Sequence, residues 1–280
     1  MGVRKTVAIL IIRHLVLILV LFITALPFIS MVGTAIKDPV VALTSTSLLP
    51  VSLDDVSFSS IYTVLFRTRF AIQLRNSVIV TATTVVSCII IAIFAGYAIS
   101  RFRGRFFSVY SVMLLILQMF PTMLMLIPLF LIYLSLGLLN TLASVIISYT
   151  ALNLAFSIWL LKGFFDTIPI ELEQAAMVDG CSQFNGFVRI IIPLALPGIA
   201  TVAIFAFVNS WNEYTLASIF LRQDRVQTMT IGLQKFVMEN SADWSLLMAA
   251  AAIATVPTLL FLFIAQKYLI EGLTAGAIKG

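Results

Sequence analysis

Charge is what this chain has least of. Only 10% of its 280 residues are Asp, Glu, Lys or Arg, against roughly 25% in a soluble domain, while 61% are apolar. That balance excludes a water-soluble globular fold and makes the bilayer the main solvent. The formal charge of +5 is no nucleic-acid signal, because the basic residues are scattered between apolar runs and form no stripe. Histidine is nearly absent: His14 stands alone, reads as an interfacial residue, and cannot supply a Ser/His/Asp set. The two cysteines, Cys88 and Cys181, fall at different depths and lack metal-type spacing, so neither a disulfide nor a metal site is expected. Gly-Lys-Ser and Gly-Lys-Thr do not occur, which removes the phosphate-cradling loop. No catalytic residue is assigned.

What fills the chain instead is apolar sequence. Six stretches reach the roughly 20 residues a spanning helix needs: 15–36, 76–100, 107–134, 142–161, 190–221 and 246–266. The expected fold is therefore an all-α membrane protein of six transmembrane helices. The first stretch is too long for a signal-peptide h-region and reads as an uncleaved anchor, bent or broken near Pro27. The third is interrupted by Pro121 and Pro128. The fifth carries Pro193 and Pro197 in its first turns, and the sixth has Pro257 inside it.

If six spans alternate, Arg4, Lys5, Arg13, Arg101, Arg103, Arg105, Lys162, Arg189, Lys267 and Lys279 share one side. Lys and Arg accumulate in the cytoplasm, so both termini are expected there. The basic residues of the other side lie mainly in two longer loops, where the rule weakens.

Residues 169–180 are a short acidic island in this apolar chain. Pro169 suits a first helical position. Glu171 and Glu173 sit near the positive end of the helix dipole. Gln174, Ala175, Ala176 and Met177 are good helix formers. Asp179-Gly180 is a stop, with Gly180 free to adopt the left-handed conformation. Ser182 then caps a second helix carrying Phe184, Phe187 and Ile191. On these residues alone, the pair is either a docking element for a partner in water or a loop with two capped turns.

Glu173-Gln174-Ala175-Ala176-Met177-Val178-Asp179-Gly180, followed by Ile192-Pro193-Leu194-Ala195-Leu196-Pro197, resembles the EAA signature of permease subunits of binding-protein-dependent ABC importers. That pattern is Glu-Ala-Ala, three residues, Gly, and later Leu-Pro. Gln174 departs from it, since the family usually has Glu there. The last residues, 268–280, resemble the tail of MalG-type carbohydrate permeases. Asn76-Ser77, Gly96-Tyr97-Ala98, Asn140-Thr141 and Trp211-Asn212-Glu213-Tyr214 are further echoes. The resemblance runs from about residue 73 to the end. It divides the chain into 1–72, an anchor span with an outer loop, and 73–280, a permease core with cytoplasmic coupling helices at 169–188 and an ATPase-contacting tail at 270–280.

The resemblance implies a subunit of the bacterial or archaeal inner membrane that forms half of a sugar pathway. Glu173, Gln174, Ala175, Ala176, Asp179 and Gly180 would seat on a cytoplasmic ATPase. Gly272, Thr274, Gly276 and Lys279 of the tail would reach between the two ATPase subunits. ATP and Mg would be bound by those subunits and no cofactor by this chain. The implied partners are a homologous permease, two ATPases, an extracytoplasmic sugar-binding protein and membrane lipid. Glu239, Asn240 and Asp243 would touch the binding protein.

Polar residues within spans give the pathway candidates: Gln118, Asn153, Asn209 and Asn212. Amides at such depth either line a wet cavity or hydrogen-bond across helices. Tyr149, Trp159 and Tyr214 are compatible with a sugar route. Glu213 reads as a hydrogen-bonded structural group or as part of a gate. The second to fourth spans lack acidic residues in their interiors, whereas ion-coupled carriers bury acids or histidines there. A carrier or channel acting alone is the alternative function, and a non-transporting membrane scaffold a third.

Overall fold

Hydrocarbon offers a backbone no hydrogen-bond partners, so apolar runs of this length must pair their own N–H and C=O groups as helices. The structure, a computed structural model, describes residues 2–102, 104–238 and 243–277. Its principal helices are α1 Gly2–Ala35, α2 Phe70–Arg101, α3 Arg105–Gln118, α4 Thr122–Ser135, α5 Leu142–Asp166, α6 Glu171–Val178, α7 Leu196–Trp211, α8 Thr215–Phe220, α9 Met229–Met238 and α10 Trp244–Ala277. Among the described residues the only β pairing is an isolated bridge between Lys37 and Val56. Among the described residues four helices are long and apolar enough to cross a membrane, or six when each of two bent pairs is counted as one span. The all-α, six-span expectation is met.

The breaks fall differently from the sequence reading. Helix α1 passes through Pro27 without interruption, as α10 does through Pro257. The third span does break: α3 and α4 meet at 95°. Pro121, which has no N–H to continue the ladder, stands immediately before α4. The fifth span is shorter than expected. A π-helical turn, Phe187–Ile191, and a short helix, Ile192–Leu194, lead into α7, with a 70° bend at Ala195. Helix α7 ends at Trp211 and the chain turns at 212–214, so 190–221 is not one span. The last helix runs about 11 residues past the expected end at 266, which exceeds ordinary boundary scatter.

The chain forms two compact units. One comprises residues 1–71 and 232–256. Its α1 is exposed from Ile9 to Thr24, as a helix facing lipid or another subunit would be, and is partly covered beyond that, with Gly33 and Ala35 buried. Within this unit Lys37 is buried, its ammonium donating to the Ser47 backbone carbonyl and hydroxyl. Phe70 packs on Phe236, with ring centroids 6.0 Å apart.

The other unit, 72–231 with 257–280, is built around α5, which α7, α3 and α8 pack against. One buried cluster, including Ile99, Ile158, Leu161, Phe165 and Phe187, lies toward the α6 end. A second, including Tyr133, Val145, Leu216 and Phe220, lies toward the opposite end. Two glycines let helices approach α5 closely. A Cβ on Gly96 of α2 would stand 3.1 Å from the Lys162 nitrogen of α5, and one on Gly198 of α7 would stand 2.5 Å from the Phe164 ring.

Candidate functional site

Two places in the larger unit concentrate polar side chains. The first is the island. Helix α6 begins at Glu171, two residues after Pro169, which precedes the helix instead of opening it. Its end follows the sequence reading closely. Gly180 has φ +88°. Its N–H bonds the Met177 carbonyl at 3.1 Å, and the Cys181 N–H bonds that of Ala176 at 2.9 Å. This is the Schellman arrangement that closes a helix on a left-handed residue. The Ser182 hydroxyl then accepts from the Asn185 N–H at 3.3 Å and caps the next turn.

Glu173 faces the end of α2. Its carboxylate accepts from Arg101 Nε at 2.5 Å and from the Tyr97 hydroxyl at 2.6 Å. The Arg101 guanidinium also donates to the Phe165 and Ile168 carbonyls at 3.0 and 3.1 Å, so it ties the end of α2 to the end of α5 and to α6 together. Both members of the pair are only 11% exposed. Ser100 adds a 2.6 Å bond to Asp166, which also pairs with Lys162 at 2.5 Å.

The six island residues therefore divide. Glu173 and Ala176 point inward, Ala176 being 5% exposed and lying beside Gly186. Gln174, Ala175, Asp179 and Gly180 are exposed, next to Leu172, Met177 and Val178, the last 87% exposed. Gly180 has open space around it, so its requirement is the positive φ and not a close approach. Arg101 and Tyr97 enter the sequence reading only as a charge marker and an echo. Seventy-two residues separate Arg101 from Glu173, and no local spacing signals that pair.

The second place is a cavity of ≈ 670 Å³ against the middle of α5. Gln118, Asn153 and Asn209 line it, together with Tyr149, Glu213, Thr122, Thr215, Phe120 and two methionines. Asn209 of α7 donates to Asn153 of α5 at 2.9 Å and so links the two helices, while the Asn153 amide donates to the Tyr149 carbonyl one turn back in α5 at 2.8 Å. Asn212 lies outside it, exposed, its amide turned back to the Val208 carbonyl. Trp159 and Tyr214 are not among the lining residues. Glu213 is hydrogen-bonded. It accepts from the Tyr149 hydroxyl at 2.6 Å and from the Leu216 and Ala217 N–H groups at 2.8 and 3.2 Å, starting α8.

The remaining echoes are fasteners. Asn76 donates to the Arg225 and Gln227 carbonyls, and Ser77 accepts from the Met229 N–H. Asn140, at φ +58°, accepts from the Arg222 and Gln223 N–H groups. Asp243 accepts from the Leu246 N–H at 3.2 Å and caps α10. Gly272, Thr274 and Gly276 fall on the helical backbone of the last turns of α10. Glu239, Asn240 and Lys279 lie outside the described residues.

Long apolar helices with one polar helix latched to the ends of two of them fit a multi-pass membrane protein. Residues 88–274 match the family described as binding-protein-dependent transport system inner membrane component, and the chain belongs to that family. The inner membrane ABC transporter permease protein YcjP of Escherichia coli is 34% identical over 94% of this chain and 94% of its own. The sulfoquinovosyl glycerol transport system permease protein SmoH of Agrobacterium fabrum is 35% identical over 74% of this chain and 73% of its own. The trehalose/maltose transport system permease protein MalG of Thermococcus litoralis is 34% identical over 76% and 77%. In fold, the chain superposes with TM-score 0.81 on a bacterial ABC transporter involved in the import of the acidic polysaccharide alginate. That likeness is at 24% identity and covers 96% of this chain and 99% of the other.

Proposed function

We propose that this chain is one half of the translocation pathway of an ATP-driven sugar importer, and that α6 is its seat on a separate ATPase. The latch carries this reading. An exposed helix of small and apolar residues would be a weak handle if it hung from a loop. Here Arg101 binds it to the ends of α2 and α5 at once, so a push on α6 moves two spans. The exposed Leu172, Gln174, Ala175 and Val178 are the docking face, and such a face on a polar helix is a mark of protein contact.

The relatives' names supply the cargo class, since they include transport systems for trehalose/maltose and for sulfoquinovosyl glycerol. The complex would contain a homologous permease, two ATPases holding ATP and Mg, and a sugar-binding protein outside. Both termini and α6 would be cytoplasmic, and the last turns of α10 with the tail would approach the ATPases. Nucleotide-driven closure of the ATPases would shift the spans between two states, biased by contacts that differ between them. The cavity at Asn153 and Asn209 would receive the sugar in one of those states.

Reconstitution into liposomes with the partner subunits tests this. Uptake is expected only with ATP on the α6 side. Ala175→Trp on the exposed face is expected to release the ATPase during purification. Uptake driven by an ion gradient without ATP would instead identify a carrier acting alone.

A further inference from the structure

Resting on the importer reading, the cavity narrows the cargo further: we propose that its charge character selects neutral sugars over sugar acids, sulfonates and phosphates. Among the residues lining the cavity, Glu213 is the only ionisable group other than Tyr149, and no Lys, Arg or His lines it. Among the described basic residues of the larger unit none lines the cavity; Arg101 and Lys162, for example, lie beside α6 and Arg222 above Phe130. The neutral partners of Glu213, a tyrosine hydroxyl and two backbone N–H groups, hold the carboxylate in place without bringing a counter-cation.

The rest of the wall suits hydroxyl groups. Gln118, Asn153, Asn209, Thr122 and Thr215 offer both donors and acceptors, and Phe120 with Met123 gives an apolar surface for the ring face of a sugar. Pockets of mixed apolar wall and a few placed polar groups bind small polar ligands in this way. An anion entering the same space meets, on this chain's side, a carboxylate and no cation. Across several ångströms at an effective dielectric near 20, that repulsion amounts to a discrimination of at least about tenfold. One relative at 35% identity is named for sulfoquinovosyl glycerol, a sulfonate, and one at 34% for trehalose and maltose, which are neutral, so charge preference is a property in which this chain's relatives differ.

The test uses the assembled complex with its permease partner, ATPases and binding protein. Mass spectrometry of the ligand that co-purifies with the binding protein is expected to show a neutral sugar. A sugar bearing carboxylate, sulfonate or phosphate would overturn the proposal and leave the importer reading intact. An amino acid or a metal ion would remove the importer reading itself. In liposomes, ATP-driven uptake of the neutral sugar is expected to exceed that of its carboxylate or phosphate derivative by at least about tenfold, and parity would overturn the proposal. Gln118→Lys, which adds a cation to the cavity wall, is expected to narrow that margin. A margin unaltered by Gln118→Lys places the selection elsewhere and also overturns the role assigned here.

Discussion

At the scale of single residues, the island is divided between inward and outward groups, and each group predicts its own behaviour. Glu173 and Arg101 are a nearly buried, hydrogen-bonded pair, and removing one partner of such a pair strands the other. Glu173→Ala and Arg101→Ala should each lower stability by about 2–4 kcal/mol, and a double-mutant cycle read by thermal unfolding in detergent should show strong coupling. Gly180→Ala forces a Cβ into a left-handed conformation at φ +88° and should cost about 1 kcal/mol, read in the same assay. Gln174 is exposed. If docking is steric, Gln174→Glu should change ATP-driven uptake by less than about twofold, and a large gain would mean that an ionic contact has been restored.

At the scale of elements, helix type and the end of α6 were legible in the sequence, because run length, Gly180 and Ser182 are local signals. The interruption at Pro121 was legible for the same reason. The end of α7 at Trp211 was not, because the residues that turn the chain there belong to an apolar run. Glu213 starts a new helix by accepting its first N–H groups, and its other partner, Tyr149, is 64 residues away in sequence. The Arg101–Glu173 pair was hidden by the same kind of distance. Of the pathway residues, Gln118, Asn153 and Asn209 meet at one cavity, whereas Asn212 lies outside it, exposed at the turn that ends α7. Tyr149→Phe should remove the hydroxyl that steadies Glu213 and lower stability by about 1–3 kcal/mol. Added proteolytic or hydrogen-exchange sensitivity should be concentrated at 212–220.

At the scale of the whole molecule, orientation can be read with the protein's own thiols. Cys88 is fully buried and Cys181 is partly exposed beside the end of α6. A membrane-impermeant maleimide should modify Cys181 from the cytoplasmic face only and leave Cys88 untouched in the folded protein. Labelling from the outer face would invert the proposed topology. The positions of Gly96 and Gly198 have a mechanical consequence. With no side chain to spare at either contact, α5 is gripped from two sides around residues 158–164, near the end that carries the latch. From that grip to Asp166 is ~7 Å of helix, and to Tyr149 it is ~18 Å, at 1.5 Å rise per residue. Helix α5 is therefore a lever with unequal arms, and a displacement of its short arm by the ATPase should appear at the cavity roughly doubled.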